Sequence, residues 1–333
     1  MPPDPMRRRQ FVAALLATPL ALRAQTRGRP HQIALLSIGT DPHLPLRERV
    51  NRWHAFFDAL RSLDRVEGRD FEVKAYFGDG KSANLPGLVA DIKRAAPDLI
   101  VATGDREVIG LRDARIDSTP IIFTFVPDPV ARGFVKSLAR PGGNITGIST
   151  YVPGQIAKLV ELLHEAAPTV KRFAIVASPA NTTPDVMRVY EAAARALGMT
   201  MLIANVSDRA SYEATLERAR KDGAEAIIVP MDGETGRYRH DLAKLAIRNK
   251  LPGIYGERFY VEAGGLMSFS SNFSERLRRA AAMADKIMKG AKPGELPVEQ
   301  PTTFELLVNL RTARALGLTL PPSMLVRADE VIE

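Results

Sequence analysis

Short unbroken apolar runs alternate along this chain with longer stretches whose apolar residues recur at helical spacing. Residues 32–38 (Gln-Ile-Ala-Leu-Leu-Ser-Ile) have the length and character of a buried strand. Residues 46–63 follow, with Val50, Trp53, Phe56, Phe57 and Leu60 spaced as on one helix face. The same reading predicts strands at 71–77, 98–102 and 120–124 and a helix at 85–96. The pattern then restarts. Strands are predicted at 172–177, 200–204, 224–229, 252–255 and 265–269, with helices at 184–197, 212–221, 242–249 and 274–290. Gly198 stands where a helix C-terminus favours glycine. Ala224-Glu225-Ala226-Ile227-Ile228-Val229 echoes Pro97-Asp98-Leu99-Ile100-Val101.

Such alternation with short connections predicts parallel sheets covered by helices on both faces. Made twice, it predicts an α/β protein of two Rossmann-like lobes joined by a hinge, with the boundary near 144–154. Residues 31–147 and about 270–298 are assigned to the N-terminal lobe, and 148–269 and about 300–333 to the C-terminal lobe. The Pro-rich stretch 294–303, residues 304–308 and the tail through Pro321-Pro322 cross between the lobes. A length of 333 residues agrees with two domains. Open α/β sheets bind ligands beyond the carboxyl ends of their strands, so two facing lobes make a cleft that closes by hinge motion.

The N-terminus changes the picture most. Arg7-Arg8-Arg9-Gln10-Phe11 is a basic cluster, an apolar run continues from Val12 to Leu22, and Ala24 is a small residue before Gln25. Together they predict a cleaved export signal over residues 1–24, and Arg8-Arg9 with Phe11 fits its twin-arginine form. The apolar run is short for a membrane span, which takes about 20 residues. Export places the mature chain in the periplasm. The formal charge of +8 falls to about +5 once four arginines and one aspartate leave with the signal. Lys and Arg are interspersed with acids, so nucleic acid is not an expected partner.

With no cysteine, thiol nucleophiles, iron–sulfur clusters and Cys-ligated zinc are excluded. Gly78-Asp79-Gly80-Lys81-Ser82 lacks the first glycine of a phosphate loop, because Ala75 stands there. No G-x-G-x-x-G follows the first strand and no G-x-S-x-G is present. The five histidines show no zinc-like spacing. No cofactor, metal or catalytic residue is expected.

Several segments resemble one known family. They are Asp128-Pro129-Val130, residues 133–147 (Gly-Phe-Val-Lys-Ser-Leu-Ala-Arg-Pro-Gly-Gly-Asn-Ile-Thr-Gly), residues 262–268 (Glu-Ala-Gly-Gly-Leu-Met-Ser), residues 296–306 and Leu316-Gly317-Leu318-Thr319-Leu320-Pro321-Pro322. In these the chain resembles the ABC-transporter substrate-binding proteins that include tryptophan- and tyrosine-type binders. The resemblance implies a fold like that of type I periplasmic binding proteins. It also implies a monomeric receptor that binds a small polar or amino-acid-like solute and hands it to a membrane permease. Two departures stand out. Gly104-Asp105-Arg106-Glu107 replaces the family's common Gly-Thr-Pro-Ala, and Ser178-Pro179-Ala180-Asn181 replaces Asn-Pro-x-Asn. Both put an aromatic amino acid in doubt as the solute.

Strand-end positions supply the candidate ligand residues. Thr40 and Asp41 follow the first strand and serve either the ligand or a turn. Gly104 and Asp105 follow the third strand. Asp128, between Pro127 and Pro129, is either a ligand group or turn chemistry. Ser149 and Tyr151 follow the lobe junction, and Asn181 the first strand of the second lobe. Asp232 is the leading candidate, as a carboxylate for a ligand ammonium or hydroxyl, with a helix cap as its other reading. Tyr255 and Glu257 close the set, the tyrosine either stacking on the solute or packing in the core. An exported α/β enzyme with its active site in the same cleft is the alternative function. A DNA-binding regulator of similar plan would need a helix-turn-helix ahead of Ile33.

Overall fold

The computed structural model describes residues 29–39, 50, 53–79, 81–150, 154–179, 182, 184–231 and 233–333. The export signal expected at 1–24 lies outside the described residues.

Five parallel strands form the first sheet, in the order β2–β1–β3–β4–β5. They are β1 (His31–Ser37), β2 (Phe71–Phe77), β3 (Leu99–Ala102), β4 (Ile121–Val126) and β5 (Ile145–Ser149). All four residues of β3 are buried, because this central strand is covered on both faces; hence its unbroken apolar sequence. Helix α1 (His54–Ser62) lays Phe56 and Leu60 on one face, over Ile33, Leu35, Val101 and Ile122. Helices α2 (Leu85–Ala95) and α3 (Asp105–Asp113) cover the other, where Ile92, Val108 and Leu111 meet Leu36, Ile100 and Phe123. At Gly147 an added Cβ would fall 2.1 Å from the Phe123 carbonyl oxygen, so β5 reaches its register against β4 only with glycine there.

The chain crosses after β5 into the second lobe. There α4 (Gln155–Ala166), β6 (Arg172–Ala177), α5 (Pro184–Ala196), β7 (Thr200–Asn205), α6 (Arg209–Lys221) and β8 (Ala226–Val229) repeat the plan. Then come α7 (Gly233–Arg237), α8 (Arg239–Arg248), β9 (Gly253–Tyr255), α9 (Arg258–Glu262) and β10 (Met267–Ser271). A second crossing carries α10 (Phe273–Met288) back onto the first lobe, where Leu277, Ala280, Ala281 and Ala284 pack with Phe56 and Leu60. The third returns to β11 (Phe304–Asn309), followed by α11 (Leu310–Leu316), α12 (Pro322–Arg327) and β12 (Glu330–Ile332). The second sheet runs β12–β11–β10–β9–β8–β6–β7. Only the β10–β11 pair among these is antiparallel, because the returning chain enters from the opposite end.

Two crossings run side by side. Ser149 donates its backbone N–H to Glu299 O (2.8 Å), Glu299 donates back to Gly147 O (2.9 Å), and Thr146 Oγ1 donates to Leu296 O (2.8 Å). Adjacent strands of backbone at a lobe junction make a narrow hinge.

Some elements differ from the sequence expectation. Helix α1 is described from His54, and most of the earlier part of the helix expected at 46–63 lies outside the described residues. Strand β10 starts at Met267 rather than 265, since Gly265 lies against the Tyr255 ring and Tyr260 O. Strands β5, β11 and β12 and helices α3, α4, α7, α9, α11 and α12 are additional to those expected.

Candidate functional site

The carboxyl ends of β4, β8, β9 and β10 converge on one cleft between the sheets, with a volume of about 280 Å³. Ligand pockets of small-molecule sites run from roughly 300 Å³ upward, so this cleft suits a small solute. The first lobe supplies Pro127, Asp128, Ala131 and Arg132 from the turn after β4. Met231, Gly256 and Glu257 come from the second lobe's strand ends, and Ile156, Leu159, Val186 and Tyr190 from the N-terminal halves of α4 and α5. The walls are thus largely apolar, with charges placed at few points.

The most deeply placed charges are Glu257 and Arg276. Arg276 Nη2 donates to Glu257 Oε1 at 2.7 Å, and both side chains are only 2% exposed. Arg276 Nη1 also donates to Ser271 Oγ (2.6 Å) and Ser271 O (3.3 Å). The guanidinium lies 4.9 Å from the Phe125 ring centroid and 5.6 Å from that of Phe273. Its Nε–H is buried and finds no acceptor among the described residues. Burial pushes the Glu257 carboxyl above its ordinary value, against the opposing pull of Arg276. The pair spans the two lobes: Glu257 follows β9, and Arg276 rides on α10 one turn after the crossing.

The turn after β4 is rigidly built. Asp128 Oδ1 accepts the Ala131 backbone N–H at 2.9 Å, and Ser149 Oγ donates to Pro127 O at 2.8 Å. Arg132 pairs with Asp105 at 3.1 Å, joining this turn to the start of α3. Asp105 also accepts its neighbour's N–H, from Arg106, at 2.9 Å. Beneath it, Glu107 is 5% exposed and accepts from the Ile38 backbone N–H (2.8 Å) and Thr103 Oγ1 (2.7 Å). Burial pushes the Glu107 carboxyl up, while these hydrogen bonds pull it part of the way back. An added Cβ at Gly104 would stand 3.0 Å from Glu107 Oε2, so the glycine makes room for this inward carboxyl.

Of the residues expected from sequence, Asp128 and Glu257 line the cleft. Gly104 and Asp105 lie at the start of α3, Asp105 engaged with Arg132. Ser149 is buried and holds the Asp128 turn through Pro127. Tyr255 is turned into the second lobe's core, stacked on Tyr260 with ring centroids 5.1 Å apart, and is not among the cleft's lining residues. Thr40, Asp41, Tyr151, Asn181 and Asp232 lie outside the described residues. Sequence reasoning passed over Arg276, Arg132 and Tyr190. For Arg276 a signal exists: it stands i, i+4, i+8 with Ala280 and Ala284 on the buried stripe of α10, where an unpaired charge is costly.

The model of the family described as ABC transporter substrate binding protein matches residues 49–332. The chain belongs to this family. A Tyrosine-binding protein of Clostridioides difficile (strain R20291) is 27% identical over 265 residues, covering 79% of this chain and 75% of that one. The crystal structure of an ABC domain from Streptococcus pneumonia in complex with L-Trp has a TM-score of 0.81 at 25% identity, covering 91% and 100%. The leucine binding protein LivK of Thermotoga maritima, at 13% identity, shares the fold alone (TM-score 0.51, covering 80% and 78%). The two-lobed α/β architecture is that of type I periplasmic binding proteins. No described helix is long and apolar enough to cross a membrane.

Proposed function

We propose that this protein is the periplasmic solute receptor of an ABC importer, which closes on a small amino-acid-like molecule and delivers it intact to a membrane permease. Family membership and relatives whose names carry tyrosine or L-Trp support the class of solute. The observation that carries the reading is the cleft itself, formed where strand ends of both lobes meet beside a paired-backbone hinge. The basic and apolar N-terminal segment supports export. The receptor chemistry is binding alone, with no bond made or broken. Asp128 and Glu257 contact the solute, joined by Thr40, Asp41, Tyr151, Asn181 and Asp232. Asp232 meets a solute ammonium or hydroxyl.

A thermal-shift series with L-tyrosine, L-tryptophan and the other common amino acids tests this. At least one should raise the melting temperature in a concentration-dependent way, as a ligand that binds only the folded state does. For that compound Asp232→Ala should weaken binding by about 1–3 kcal/mol, the worth of a hydrogen bond to a charged group. A flat series would reject the amino-acid-like class. Unchanged affinity with a lower melting temperature would make Asp232 a helix cap instead.

A further inference from the structure

We propose that Arg276 is the anchor for the solute's carboxylate and sets the preference for acids over their uncharged derivatives. The proposal rests on the receptor reading above and names the residue that recognises the charge. An arginine carries five N–H donors in a fixed planar fork, and burying one without an acceptor is unfavourable. Arg276 is 2% exposed and lines the cleft. Nη2 is engaged by Glu257 and Nη1 by Ser271, while Nε–H has no acceptor among the described residues. A donor in that condition at the wall of a binding cleft is completed by an acceptor that arrives with the ligand.

Rigidity supports the same assignment. Phe125 and Phe273 hold the guanidinium by ring contacts, and Glu257 and Ser271 fix its rotation, so the orientation of the free donor is set before the solute enters. Arginine is also the side chain whose geometry suits a carboxylate. The other cleft-lining arginine, Arg132, is engaged with Asp105 at 3.1 Å. Glu257, beside Arg276, disfavours a bare anion and favours an acid that carries a donor group next to its carboxylate. The apolar walls from Ile156, Leu159, Val186 and Met231 receive the rest of the molecule.

The test is calorimetric titration of the mature chain with L-tyrosine, L-tryptophan, L-leucine and the primary amide of each. Wild type, Arg276→Lys and the double variant Glu257→Gln/Arg276→Gln are compared, and each is checked for folding by its melting curve. The wild type should bind at least one acid, with its amide at least tenfold weaker. Arg276→Lys keeps a cation for Glu257 but has neither the Nε–H nor the fixed planar fork, so it should lose most of that preference. The double variant leaves no buried charge unpaired and should lose it entirely. As a readout that needs no substitution, the Arg276 Nε–H resonance of the wild type should move when the acid is added, and move less at saturation with the amide, whose neutral oxygen is the weaker acceptor. Equal affinity for acid and amide, a preference retained in the folded variants, or an unmoved resonance would overturn the role of Arg276 while leaving the receptor standing. Failure of every compound to bind would overturn both.

Discussion

Glu107 and Glu257 are buried carboxyls with different tasks. Glu257 is matched by a cation from the other side of the lobe junction, whereas Glu107 is held by neutral donors, the Ile38 N–H, its own backbone N–H and the Thr103 hydroxyl. Without a countercharge, desolvation leads and the Glu107 carboxyl is raised from 4.5. A raised folded-state value means that the protonated carboxyl stabilises the fold fully below the unfolded value, and that this contribution is lost as pH rises through the folded one. Glu107→Gln carries a permanently neutral group in the same place. The wild type's melting temperature should therefore fall relative to Glu107→Gln as pH is raised from about 4 toward neutrality. Parallel melting-temperature profiles for the two proteins would show that Glu107 titrates normally. Glu107 and Arg276 could have been found in the sequence. Glu107 stands four positions before Leu111 on the buried side of α3, and Arg276 interrupts the apolar stripe of α10. Strand-end reasoning located Asp128 and Glu257 at the cleft but also chose Tyr255, whose side chain points the other way, into the core against Tyr260. The order of residues places a strand's end; it does not tell which face each side chain takes when both faces are buried.

Among the elements, the buried strands were the most legible. β6 coincides with its apolar run, because a strand covered by helices has few solvent-facing positions to interrupt it, whereas β2, at the sheet's edge, is legible from the exposed Glu72 and Lys74 alternating with Phe71, Val73 and Ala75. β5 was hidden: Ile-Thr-Gly-Ile-Ser contains a glycine and two hydroxyls, and reads as a linker. Its glycine is required by contact with β4 rather than by a turn. Gly147→Ala would drive a methyl group into the Phe123 backbone and should cost about 1–3 kcal/mol from overpacking alone, measured by chemical denaturation. An alanine variant of undiminished stability would mean that the β4–β5 register is not as tight as described. Helix α3 was obscured for another reason. Asp-Arg-Glu-Val-Ile-Gly-Leu-Arg-Asp is mostly polar, and its three buried residues include a glutamate. Helix α4 has Ile156, Leu159, Val160 and Leu163 at helical spacing and was open to the same reading as its neighbours.

Across the whole molecule, one architectural fact organises the rest: a chain that crosses three times between two α/β lobes leaves their strand ends facing one another. The apolar alternation made the duplication legible, whereas the crossings themselves are set by long-range contacts such as the Ile148–Glu299 bridge, which local pattern cannot report. Because β11 returns antiparallel beside β10 and α10 returns to the first lobe, the Glu257–Arg276 pair is assembled at the base of the cleft from segments of both halves. Hinge closure at this junction would bring the apolar walls of the second lobe over a solute held at that pair. As a receptor, the protein should capture a small molecule in this cleft and give it back unchanged. Native mass spectrometry of the protein recovered from the periplasm, followed by analysis of what it releases on denaturation, tests this most directly. One small amino-acid-like compound per chain, released intact and rebound by the refolded protein, is the predicted result. A chain carrying no such compound, or one that returns an added compound chemically altered, would contradict it.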